Sequence, residues 1–125
     1  MTDIIIDSSK QTLHVAVKAT SWQTLKFEIK VYDSDGDTIL EEIEGTTKGC
    51  SNWMQPLKLK PSESDGKFIS GLFHFLLPGS SDFDYHASFN LIEDNTFLQP
   101  EIKLAGLSLN DEVVRAGNFH ISSVG

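Results

Sequence analysis

The chain has 125 residues, 39% apolar and 10% aromatic, enough for one hydrophobic core and for a single domain spanning 1–125. Eighteen acids against ten Lys and Arg leave a net charge of −8, and six of those acids fall between Asp33 and Glu44 with no base among them. Without a cluster of Lys and Arg there is no surface to replace phosphate counterions, so nucleic acid is excluded as a partner, and the lone Cys50 excludes an intrachain disulfide framework.

The first residues, "MTDIIIDSSK", have neither the basic region nor the apolar stretch of a signal peptide. This points to a cytoplasmic protein, or to one exported without a cleavable signal. No apolar run approaches the roughly 20 residues that a transmembrane segment requires. "TLHVAVKA" then alternates Leu13, Val15 and Val17 with polar neighbours, which predicts a half-buried strand. Trp22 follows in the polar, turn-like stretch "ATSWQT". "TLKFEIKVYD" carries the strongest alternation of the chain, with Leu25, Phe27, Ile29 and Val31 on one face.

"VYDSDGDTILEE" raises the question of calcium. Asp33, Asp35 and Asp37 occupy positions 1, 3 and 5 of a helix-loop-helix calcium loop and Glu44 position 12, but Thr38 stands where that loop needs glycine, and a strand precedes it instead of a helix. A hairpin tip accounts for the residues better: Asp33 and Gly36 suit the first and fourth places of a type I turn, with Ser34, Asp35 and Gly36 as a three-residue loop. That register sets Asp33 opposite Asp37 and Val31 opposite Ile39. The crowded acids leave room for weak calcium binding at Asp33, Asp35 and Asp37, helped by Glu93, Asp94 and Asn95 if the two loops meet; no other cofactor is expected.

"GTTKGCSNW" reads as a loop, with Trp53 in a second polar stretch, and "PLKLKP" as a short strand between Pro56 and Pro61. "KFISGLFHFLLPG" is apolar on both faces, with Ile69, Phe73, Phe75 and Leu77 on one and Phe68, Leu72 and Leu76 on the other, which suits a central strand or a contact between copies of the chain. "YHASFNLIED" sends Tyr85, Ala87, Phe89 and Leu91 inward and His86, Ser88 and Asn90 outward. "PEIKLAG" and "GNFHISSV" supply two further strands, while "LNDEVVRAG" has room for one or two helical turns. Turn clusters separate these runs, so the expected fold is all-β: an antiparallel sandwich of seven or eight short strands, with a small barrel as the alternative.

"LLPGSSDFDYHASFNL" resembles the corner before a late strand of immunoglobulin-like sandwiches, where a tyrosine, here Tyr85, bonds back to the loop. The resemblance covers about sixteen residues and implies an immunoglobulin-like or related topology, nothing about activity.

The chemistry-bearing residues point away from an enzyme. Asp84, His86 and Ser88 share one strand face, the arrangement a small hydrolase would use, but no motif supplies an oxyanion hole. The four histidines and Cys50 lack zinc-site spacing. What remains is a recognition module whose loop-borne Trp22 and Trp53 contact a carbohydrate, a lipid head group or a protein surface. The alternative is a structural subunit that self-assembles as a homo-oligomer through the two-sided strand 68–77.

Overall fold

The computed structural model describes residues 1–20, 23–76, 83–108 and 112–125. Among them are ten strands: β1 (Thr2–Asp7), β2 (Leu13–Ala19), β3 (Thr24–Tyr32), β4 (Ile39–Lys48), β5 (Ser51–Pro56), β6 (Phe68–Leu76), β7 (Phe83–Glu93), β8 (Thr96–Phe97), β9 (Ile102–Ser108) and β10 (Glu112–Val124). A 3-10 turn, Pro61–Glu63, interrupts the β5–β6 connection. The strands form two open sheets, β1-β10-β6-β3-β4 and β5-β2-β7-β8, with β9 beside β8 along the same edge of β7. These pack face to face as a sandwich and do not close into a barrel.

Strand two beside five, three beside six, and six beside the last strand are the central pairings of an immunoglobulin-type sandwich. Two departures set this topology apart. β4 pairs with β3 instead of β5, and the β7–β9 unit, inserted before the last strand, takes the place beside β2 that the first strand holds in immunoglobulin domains. β1 instead runs parallel to β10. Tyr85 accepts a 2.8 Å hydrogen bond from Arg115 Nη1, and the loop to which a tyrosine corner would bond lies outside the described residues.

Alternation fixes which face each strand buries. Leu25, Phe27, Ile29 and Val31 of β3 are all buried, as are Leu13, Val15 and Val17 of β2 and Tyr85, Ala87, Phe89 and Leu91 of β7. A line of rings then crosses between the sheets: Trp53 lies edge-on to Phe27 at 4.7 Å, Phe27 is 6.1 Å from Phe73, and Phe73 and Phe119 flank Phe89 at 5.2 and 5.1 Å. Glycine makes room for this line. A Cβ on Gly45 would stand 2.4 Å from the Phe27 ring and one on Gly71 2.5 Å from the Phe73 ring, so both rings lie over bare backbone.

Four expectations change. "SNWMQP" is strand β5, and Trp53 is on it, half-buried against the core, while 57–60 leaves the ladder although Leu57 and Leu59 are buried. An edge strand is defined by the backbone partner it meets, β2, and its half-buried Ser51, Trp53 and Gln55 give only a faint alternation. Glu112–Val124 is one continuous strand without helical turns, because Glu112 to His120 pair with Leu76 to Phe68. The β3–β4 hairpin closes at Asp33 N–H to Thr38 O, with a bulge that sets Tyr32 opposite Ile39 and Val31 opposite Glu41. Ten strands replace seven or eight because exposed Ile5 hides the alternation of buried Ile4 and Ile6 in β1, and because β8 has only two residues. The two-sided strand does hold a central place: β6 lies between β10 and β3, with Leu77 outside the described residues.

Candidate functional site

The acids of the hairpin tip are engaged in the fold. Asp33 forms a 3.0 Å ion pair with Lys67 and accepts the Ser34 N–H, and the Lys67 ammonium holds its carboxyl below the usual range. Asp35 accepts the Thr38 hydroxyl at 2.6 Å and the N–H groups of Thr38 and Asp37 at 2.9 Å each, which lowers its pKa to about 2. Gly36, at φ +72°, takes the left-handed turn that brings these donors round one carboxylate. Asp37 is exposed.

The 93–95 turn is similarly committed. Glu93 accepts the Asp7 N–H at 2.8 Å, and Asp94 accepts the N–H groups of Gln11 and Thr12, which hold its carboxyl down. Along this end of the sandwich the 65–67 connection and the end of β10 come between the tip and this turn. Among the described residues no three His, Cys, Asp or Glu side chains gather at metal-binding spacing.

A concentrated set of uncommitted polar groups lies on the outer face of the β5-β2-β7-β8/β9 sheet. Its register builds a grid. Lys18 stands beside Asn52 and Ser88, and Ser88 beside Lys103; Ala16 stands beside Met54 and Asn90; Ile92 stands beside His14 and Phe97. Small Ala16 lowers the floor, while Met54 and Phe97, 54% and 57% exposed, rise at either side. Three interstrand steps place these walls roughly 14 Å apart. The result is a groove of about 460 Å³ whose polar lining is Lys18, Asn52, Ser88, Asn90, Gln99 and Glu101. Trp53 borders it from β5. Among the described residues none of these six polar side chains makes a hydrogen bond or an ion pair.

Asn90 is 5% exposed and lines the groove; its amide makes no hydrogen bond among the described residues, and neither its nitrogen nor its oxygen is fully enclosed, so both keep some contact with solvent. A second depression of about 250 Å³ continues along the same face past Ser88 to His86, Thr20, Lys103 and Ala105. Of the three residue types expected for a hydrolase, His86 and Ser88 line it and Asp84 does not.

The opposite sheet also carries a hollow, about 590 Å³, lined by Lys26, Glu28, Glu44, Thr46 and His74 between exposed Leu72 and Val114. None of these polar residues is buried, and His74 is already paired with Glu112.

Of the expected ligand contacts, Trp53 borders the groove while packing on the core, and Trp22 lies outside the described residues. Alternation placed Ser88 and Asn90 on the outward face. Lys18, Asn52, Met54, Phe97, Gln99 and Glu101 were not anticipated, because only the long-range pairing of β2, β5 and β7 brings them together. No helix is long and apolar enough to cross a membrane among the described residues. Comparison with protein-family models, with curated proteins and with solved structures yields no match to this chain.

Proposed function

We propose that the protein is a non-catalytic recognition module that holds a carbohydrate chain in the groove on the outer face of the β5-β2-β7-β8/β9 sheet. The groove between exposed Met54 and Phe97, lined by six polar side chains that make no hydrogen bond or ion pair among the described residues, carries this reading. Sugar rings present apolar C–H faces and hydroxyl edges. The groove offers Met54 and Phe97 for the first, and for the second the paired donors and acceptors of Asn52, Asn90 and Gln99 with the Glu101 carboxylate. A largely pre-formed cleft with a few convergent polar groups is the usual form of a small-molecule site.

Affinity electrophoresis through gels containing soluble polysaccharides tests the reading. Retardation by at least one polysaccharide is expected, with a loss of tenfold or more in Asn90→Ala and Phe97→Ala and no change in Asp35→Ala at the distant tip. Unretarded migration of the wild-type protein through a broad neutral and acidic panel would overturn it.

A further inference from the structure

We infer that one position along this groove is an anionic subsite, so that the carbohydrate it takes is acidic, bearing a carboxylate or a sulfate ester. The inference rests on the carbohydrate reading above and adds the ligand's charge.

Its basis is the cross-strand row Asn52, Lys18, Ser88, Lys103. The two lysines flank one serine on adjacent strands, two interstrand steps or about 10 Å apart, close enough for both ammonium groups to converge on a group seated over the Ser88 hydroxyl. Both lysines are exposed, and neither is in an ion pair among the described residues. Lys18 and Ser88 line both depressions of this face, so the row sits where the two join.

Glu101 also lines both and is the acid present there among the described residues. Its carboxylate accepts hydroxyl protons and repels an anion, which confines the charged group of a ligand to the lysine row. Ser88 supplies a hydroxyl donor to that group, and Asn52 an amide donor. The next row, Ala16 with Asn90, lies about 7 Å further along the strands and receives the neighbouring ring. The recognised unit is therefore a chain of at least two sugars, an acidic one over Ser88 and the next between Met54 and Phe97.

The net charge of −8 makes the test clean, because the protein as a whole is repelled by polyanions and retention must come from a local site. Affinity electrophoresis is run with polygalacturonate for carboxylates, dextran sulfate for sulfate esters, and dextran and galactan as neutral chains. Wild-type protein is expected to be retarded by one of the two acidic polymers, with retardation falling as salt rises. Lys18→Gln with Lys103→Gln is expected to lower that affinity at least tenfold, while Lys26→Gln with Lys48→Gln leaves it unchanged; circular dichroism melts establish that both variants fold. Retention by neutral chains alone overturns the subsite and leaves the groove reading intact. Acidic retention that survives Lys18→Gln with Lys103→Gln also overturns the subsite, and retention by no polymer overturns both.

Discussion

Asp35 shows how a residue that looks like a metal ligand is used up by the backbone. Its two oxygens take one hydroxyl and two N–H groups from the next three residues, satisfying donors that a turn leaves outside any ladder. Asp7 and Asp94 do the same for neighbouring loops: Asp7 accepts the hydroxyl and N–H of Ser9, and its carboxyl is likewise held down. The lowered pKa has a consequence for stability. A carboxylate with a folded-state pKa near 2 against an ordinary 3.8 stabilises the fold fully above pH 4, and loses that contribution as pH falls from about 4 through about 2. Asp35→Ala is therefore expected to lower the urea midpoint at pH 6, with the gap to wild type narrowing below pH 4. A gap independent of pH between 6 and 2.5 would show that the charge on Asp35 contributes nothing. The residue types at the tip were legible in the sequence. Their loop length was not, because the choice between a loop closed at Asp37 and one closed at Thr38 rests on these side-chain hydrogen bonds and on a bulge at Val31/Tyr32.

At the scale of elements, what alternation conveys is the face, and what it omits is the partner. The inward residues of β2, β3 and β7 follow from period two alone. β5 and the first half of β10 do not, since a strand whose inward places hold Ser51, Trp53 and Gln55, or Val113, Arg115 and Gly117, has little contrast between faces. The same limit hides the glycines. Gly71 interrupts the apolar face of β6 in sequence, yet in the fold it is the gap over which the Phe73 ring lies, a device that lets a large ring pack flat on a central strand. A methyl group there would meet Phe73 at 2.5 Å and Phe89 at 3.1 Å. Overpacking of this kind costs about 1–3 kcal/mol, offset by about 0.4–1 kcal/mol from the stiffer unfolded chain. Gly71→Ala is thus expected to destabilise by about 1–2 kcal/mol in urea unfolding. Because the two residues share one space, adding Phe73→Leu is expected to cost less than the sum of the separate changes. Strict additivity would separate Gly71 from the ring.

Across the whole molecule, polar groups divide into those the fold consumes and those it leaves free. The end of the sandwich holding the tip and the 93–95 turn is rich in carboxylates, and Asp33, Asp35, Glu93 and Asp94 all answer a backbone or lysine donor. The outer face of the β5-β2-β7-β8/β9 sheet is rich in amides and lysines that answer nothing among the described residues. Sequence patterning could place Ser88 and Asn90 on one outward face, but the groove depends on strand order, which no local period encodes. The contrast can be tested at Asn90. Its amide makes no hydrogen bond among the described residues and keeps some contact with solvent, so no contact within the described fold depends on it, and a β-branched apolar residue of similar size suits a central strand. Asn90→Val is therefore expected to raise the urea midpoint, or at least leave it unchanged, while retardation by the bound polysaccharide falls at least tenfold. Such a gain in stability at the expense of binding marks a position selected for function. A marked loss of stability in Asn90→Val would instead give the amide a structural duty and take it out of the groove's binding groups.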